Sequence, residues 1–258
     1  MTLRPEVYLE RIGARAELVL NRPGKRNALN LAMWAAIPGL LSEIEHDASA
    51  RLLVVRGAGD TFAAGADIAE FETAYASPEA ALDNQATMAA AMTALEDFPK
   101  PTIALIRGAC VGGACGVALC CDLRLAADDA RLGITPARLG LVYGVSDTRR
   151  LVQAVGISAA KDMLFTGRLH DGATALRIGL VDRLAPPDAL DAALQTLEED
   201  LLATSSFTAQ ATKQTFRMLR EGARDDTAAS RGLFASAFEG ADFLEGFSAF
   251  VQKRRPVF

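Results

Sequence analysis

The feature that most constrains this fold is a change of rhythm along the chain. Short apolar runs alternate with stretches of helical period through the first two thirds, and beyond Pro187 only helical period remains. Residues 7–12 and 16–21 alternate apolar and polar side chains around Gly13, which predicts an opening hairpin. Residues 52–55, 102–106, 122–126 and 181–184 read as further short strands. Between them, Trp34, Ile37, Leu41 and Ile44 recur at spacings of three and four behind Asn30, a residue suited to cap a helix. Pro38 interrupts that face and predicts a kink. Residues 78–98 read as a long helix with Leu82, Met88, Met92 and Leu95 on its inner face, closed by Pro99 and Pro101. Shorter helices are expected over 112–119, 151–155, 159–165 and 172–178, and the tail reads as helices over 189–202, 207–220, 225–238 and 243–253. Alternation of this kind implies an α/β core. No linker rich in Pro, Ser or charge is visible, so the expected organisation is an α/β core over residues 1–195 and a helical C-terminal region over 196–258.

Composition narrows the function. Half of the 258 residues are hydrophobic and 23% are charged, which excludes a disordered chain. The net charge of −5 offers no basic field, so nucleic acid is not an expected partner. The most apolar stretch, 108–121, is glycine-rich and falls short of the ~18 apolar residues a membrane helix needs, so no membrane contact is expected. The charged N-terminus lacks an apolar secretory segment, and a cytoplasmic location is expected. Cys110, Cys115, Cys120 and Cys121 read as small buried hydrophobes in a reducing compartment. Their spacing is not CxxC and His46 and His170 are remote, so no metal site is expected.

Two strand-to-helix junctions are built from small residues: Ala63-Ala64-Gly65-Ala66-Asp67 and Val111-Gly112-Gly113-Ala114. Small residues let backbone N–H groups approach a ligand, and a helix N-terminus adds free donors. Two such ends converging on one carbonyl oxygen would form an oxyanion hole. The simpler alternative is a pair of tight turns needed only for packing. The chain has no GxGxxG, GxxxxGK[ST] or GxSxG motif.

The ordered set Asn21-Arg22-Pro23…Asn27-Ala28-Leu29, Phe62-Ala63-Ala64-Gly65-Ala66-Asp67-Ile68, Gly108-Ala109-Cys110-Val111-Gly112-Gly113 and Cys121-Asp122-Leu123-Arg124 resembles the crotonase (enoyl-CoA hydratase/isomerase) superfamily. The likeness continues through Thr148-Arg149-Arg150-Leu151, Phe165-Thr166-Gly167-Arg168 and the tail around Glu245 to Arg254, so it spans essentially the whole chain. It implies an α/β spiral of ββα units with a helical C-terminal trimerisation region, assembled as trimers or pairs of trimers. It implies an acyl-CoA substrate, with CoA carried as the thioester and no separate cofactor. The implied oxyanion donors are the N–H groups of Ala66 and Gly113. The Ala64 carbonyl resembles the adenine contact, with Asp67 and Ile68 continuing the same loop. Arg22 and Lys25 are the implied phosphate contacts, and Phe250 and Lys253 resemble the pair that reaches a neighbour's CoA. A family lysine two positions after Asp67 is Ala69 here.

The chain departs from the family where hydratases carry two glutamates. The first position is Gly116 and the second, after Pro136, is Ala137. Neither can transfer a proton, and each missing acid or base is worth roughly 10²–10⁴ in rate. Tyr143 stands where hydratases usually place Pro, and Thr135-Pro136…Leu139-Gly140…Tyr143 resembles the corresponding stretch of methylmalonyl-CoA decarboxylases. Those enzymes carry His where this chain has Ala66. Asp147 reads either as a lone base reaching the acyl group or as a helix cap. Glu70 reads as facing either the acyl pocket or solvent, and Asp67 and Asp122 as structural. The sequence therefore leaves three readings: an enolate-stabilising acyl-CoA enzyme, a decarboxylase-like lyase using Tyr143, and a non-catalytic CoA-ester-binding homologue.

Overall fold

The computed structural model describes residues 4–258. The opening hairpin is β1 (Val7–Ile12) and β2 (Arg15–Leu20), paired antiparallel around Gly13, whose φ of 59° suits glycine. Next come α1 (Leu31–Glu45), β3 (Leu52–Gly57), α2 (Phe71–Ala74), α3 (Pro78–Glu96), β4 (Thr102–Ile106), β5 (Ala109–Val111) and α4 (Gly113–Cys120). They are followed by β6 (Leu123–Ala127), β7 (Arg131–Gly133), α5 (Val145–Thr166), β8 (His170–Asp171), α6 (Gly172–Arg177) and β9 (Arg183–Ala185).

These strands form two sheets. The larger has the order β1-β2-β3-β4-β6-β9, parallel from β2 onward, and the smaller has the order β5-β7-β8. Each of the pairs β4–β5 and β6–β7 places one strand in each sheet before the chain turns into a helix. That is the spiral of ββα units implied by the resemblance. β3 and β4 are nearly all apolar because both of their faces are covered. The core joins them to Leu18, Leu20, Trp34, Ile37, Phe62 and Met92.

Local signals explain the helix starts. Asn30 accepts a hydrogen bond from Met33 N at 2.9 Å, and Ser77 accepts one from Ala80 N at 3.2 Å ahead of Pro78. Pro38 lies inside α1, which runs on either side of it. The break expected in the fifth helix falls at Gly156, with φ 74° and ψ 165°. The four cysteines are buried, and none of them forms a disulfide among the described residues. The small sheet escapes sequence reading, because strands of two or three residues carry no measurable period. Leu82 is 63% exposed rather than buried, because burial in α3 begins only in its second half, at Ala91, Met92 and Leu95.

The described chain divides into two compact units. The first runs to Phe98, resumes over Thr102–Asp191 and holds both sheets. The second comprises Pro99–Pro101 and Ala192–Phe258. It contains most of α7 (Leu190–Leu202), then α8 (Ser206–Arg220), α9 (Ala228–Ala237) and α10 (Ala241–Gln252). Inside it, Ser205 caps α8 by accepting from Thr208 N at 3.0 Å and donates to Asp242 at 2.6 Å. No helix among the described residues is long and apolar enough to cross a membrane.

Asn27 organises the loops that lead to the junctions found in the sequence. It is fully buried, with a left-handed φ of 54°. Its Oδ1 accepts from Arg22 N at 2.9 Å, and its Nδ2 donates to Ala58 O at 2.9 Å and Thr61 O at 2.6 Å. Asn27→Ala leaves three backbone groups unpaired and places alanine at a positive φ. The expected cost is about 3 kcal/mol or more, read as a lower urea midpoint at unchanged slope.

Candidate active site

Two single-residue bridges hold residues 63–67. At one end, Ala63 N donates to Ala109 O at 2.9 Å and Val111 N donates to Ala63 O at 3.2 Å. At the other, Leu29 N donates to Gly65 O at 2.8 Å and Asp67 N donates to Leu29 O at 2.9 Å. In a parallel bridge of this kind the flanking residues make the bonds, so the N–H of the middle residue, Ala66, faces the other way. Gly65, with φ 102°, sits against the second junction: a Cβ there would stand 2.8 Å from Val111 O. Gly112 (φ 59°) turns the chain into α4, and its N donates to Gly133 O at 2.8 Å. Gly113 is the first residue of α4, so its N–H has no partner within the helix. Among the described residues, neither Ala66 N nor Gly113 N donates to a protein acceptor. Two free donors thus sit on loops in direct contact.

The glycines record what surrounds them. A Cβ at Gly113 would stand 3.3 Å from Trp34 Cζ2 and 3.7 Å from Met88 Cε. At Gly116, where family hydratases carry their first glutamate, it would stand 3.1 Å from Met92 Cε and 3.4 Å from the Tyr143 hydroxyl. At Gly144 it would stand 3.2 Å from Gln85 Nε2 and 3.4 Å from Asp147 Oδ2. One stripe of α3, Gln85, Met88 and Met92, therefore faces α4 and the segment 143–144. The Tyr143 hydroxyl is buried with no hydrogen-bond partner among the described residues, and burial pushes its pKa well up, so it stays protonated. Ala137 is exposed on the 3-10 turn Pro136–Leu139.

Asp147 is not the helix cap that the sequence offered as one reading. Gly144, extended at φ −63° and ψ 158°, is the N-cap of α5, and Asp147 lies in the first turn. Its Oδ1 accepts from Arg150 Nη1 at 2.9 Å. Burial raises its pKa against the opposing pull of Arg150. Glu70 is tied to the start of α1, where its Oε2 accepts from Leu31 N at 2.8 Å. Asp122 is structural, accepting from Thr102 N at 2.7 Å and its hydroxyl at 2.9 Å.

The residues singled out for CoA are spread along the chain. Arg22 is largely committed inside the protein, to Asp67 at 2.8 Å, Glu6 at 3.0 Å and Ala28 O at 2.7 Å. The hydrogen bonds from Arg22 and from Ala69 N hold the Asp67 carboxyl below its ordinary pKa. Lys25 is exposed on the turn Pro23–Lys25, Ile68 is exposed, and Ala64 N donates to Arg26 O at 2.9 Å. Phe250 and Lys253 are exposed in the second unit, on and just after α10. His46 ends α1, as its sequence position suggests. His170 is buried in β8, with Nε2 unpartnered among the described residues. Gln85 was missed by sequence reasoning. The available signal was its place three residues before Met88 and seven before Met92, on one helical face.

The contact between the junctions is testable through Gly65. Gly65→Ala combines a left-handed φ with a Cβ driven onto Val111 O. The expected cost is about 2–4 kcal/mol, measured by denaturant unfolding.

Comparison with known proteins agrees with this architecture. The family model for enoyl-CoA hydratase/isomerase matches residues 12–258. The chain is 37% identical over 243 residues to the 2,3-dehydroadipyl-CoA hydratase of Escherichia coli K12, covering 93% of each chain. It is 34% identical over 253 residues to a probable enoyl-CoA hydratase, echA8, of Mycobacterium tuberculosis, covering 98% of this chain and 97% of that one. The crystal structure of a putative enoyl-CoA hydratase/isomerase family protein from Hyphomonas neptunium superposes with a TM-score of 0.95 at 44% identity, covering 98% and 97% of the two chains. The motifs, the spiral of ββα units and these likenesses together place the chain in the enoyl-CoA hydratase/isomerase family.

Proposed function

We propose that this chain binds an acyl-CoA thioester with its carbonyl oxygen between Ala66 N and Gly113 N and stabilises the enolate formed there. The observation that carries this reading is the pair of free N–H groups on two touching loops, one of them at the N-terminus of α4. Preorganised donors gain strength as charge develops on oxygen, so they favour the transition state over the bound substrate. Related proteins named as hydratases of CoA esters support the substrate class. Trp34 and Met88 beside Gly113 suit an apolar acyl segment next to the thioester.

The step after polarisation depends on what stands at Gly116. No glutamate is there or at Ala137, so ordinary water addition lacks its usual acid and base. The Tyr143 hydroxyl occupies the approach to Gly116 instead. A neutral, unpartnered phenol is a proton donor, and it suits a lyase in which loss of CO₂ makes the enolate without a strong base. That observation favours the decarboxylase-like reading over plain hydration. It also counts against a non-catalytic homologue, because a pocket used only to hold an acyl chain gains nothing from an unpaired buried hydroxyl. For the CoA moiety the reading keeps Ala64, Lys25, Arg22, Asp67 and Ile68, with Phe250 and Lys253 reaching a neighbouring copy in a trimer or pair of trimers. Exposed Phe216, Phe234, Phe247 and Phe250 in the second unit support such an assembly.

Purified protein is incubated with crotonyl-CoA and with methylmalonyl-CoA, and the CoA esters are weighed by mass spectrometry. Loss of CO₂ from methylmalonyl-CoA is the expected outcome. Gain of water on crotonyl-CoA at a hydratase's rate would show that hydration survives without the two glutamates. Tyr143→Phe is expected to lower turnover by about 10²-fold with CoA-ester binding retained. Unchanged turnover removes the hydroxyl from the mechanism.

A further inference from the structure

Beside Gly144, at the start of α5, two carboxylates share one buried arginine. Arg150, on α5, is 5% exposed. Its Nη1 donates to Asp147 Oδ1 at 2.9 Å. Its Nε donates to Glu96 Oε2 at 2.9 Å, and its Nη2 lies 2.8 Å from the same oxygen. Glu96, the last residue of α3, also accepts from Arg149 Nη2 on both oxygens, at 2.8 and 2.9 Å. The Arg150 charge is therefore divided, with the larger share on Glu96. Asp147 Oδ2 takes no hydrogen bond among the described residues. It lies 3.4 Å from the place a Cβ of Gly144 would fill, so glycine leaves that oxygen uncovered.

We propose that Asp147 is the proton carrier of the site, and that Glu96 is a positioning residue that sets its charge through the shared Arg150. The inference rests on the enolate reading above. One carboxylate oxygen is fixed by a guanidinium, and the other takes no hydrogen bond and shares the neighbourhood of Gly144 with Gln85. That is what a general base needs: a held orientation and a free lone pair. The function of the two absent glutamates thereby moves to the first turn of α5. The charged and titratable groups facing Asp147 are Glu96 from α3, Arg149 and Arg150 from its own helix, Cys120 from α4 and Tyr143 from the preceding segment. Burial raises the Asp147 pKa, Arg150 and Arg149 lower it, and Glu96 raises it. A base tuned upward is better matched to neutral pH than an ordinary aspartate.

The step balances simply. Asp147 Oδ2 takes a proton from Cα of the thioester. The C–H electron pair becomes the Cα=C bond, and the carbonyl pair moves onto the oxygen held by Ala66 N and Gly113 N. Return of a proton from Asp147 to Cα restores the thioester. In heavy water the carboxyl proton exchanges with solvent, so the thioester gains deuterium at Cα.

The test is deuterium uptake at Cα of butyryl-CoA, followed by mass spectrometry across pH. Asp147→Asn is expected to slow uptake by about 10²-fold or more, and Asp147→Glu to recover part of it. Glu96→Gln removes the group that competes for Arg150, which lowers the Asp147 pKa. The acid limb of the rate profile is expected to move down by roughly one pH unit. Arg149→Gln removes a cation that favours the carboxylate, so the limb is expected to move up. Opposite shifts separate this linkage from general damage, and melting curves confirm that each variant folds; if one does not, the other still reads the linkage. Uptake unchanged in Asp147→Asn overturns the proton-carrier role, and an unmoved acid limb in a folded Glu96→Gln or Arg149→Gln variant overturns the positioning role. No uptake by the unaltered protein overturns the proton-carrier role, whereas the enolate reading falls only if methylmalonyl-CoA also keeps its CO₂.

Discussion

The first unit depends on a close approach between two backbones. Gly65 lies against the carbonyl of Val111, and the bridges at Ala63 and Leu29 hold the chain on either side of that point. A side chain at Gly65 would push the junctions apart, so the contact exists only because two loops are built from small residues. The placement of both free donors follows from it. The bridge at Leu29 turns the Ala66 N–H outward, and the helix that starts at Gly113 supplies the second donor. Asn27 acts one layer behind, by fixing the turn that delivers residues 58–61 to the site loop.

Around those donors the pocket is assembled by substitution rather than addition. Space near α4 that a glutamate would occupy is taken by Met92 and the Tyr143 hydroxyl. The carboxylates that remain are arranged around Arg150, in a half-buried network with two cations and two anions. Such a network is costly to dismember one member at a time, because each removal strands a charge in a poorly hydrated place. It also ties the end of α3, the helix that carries Gln85 and Met88, to the start of α5, just after Tyr143.

Much of this was legible in the sequence, and the reasons are specific. The strand–helix alternation and the small-residue junctions carry strong local signals, and the structure follows them. The three strands of the small sheet were invisible, because their pairing partners are distant and their lengths are two or three residues. Gln85 was invisible for another reason. A single amide on a polar-looking helix announces nothing until the opposite wall is known. Asp147 was seen, but that Gly144 and not Asp147 caps α5 shows only in the extended backbone of Gly144.

The thiols around α4 have a consequence of a different kind. Cys110, Cys115, Cys120 and Cys121 are all buried and unbridged, and burial pushes the pKa of Cys110 and Cys120 up. The thiolate is the form that reacts, so an electrophile meets almost none of it at those two sulfurs while the core is intact. Opening α4 to water removes that protection at once. The chain thus contains its own chemical gauge of core integrity, placed in and around the helix that starts at Gly113.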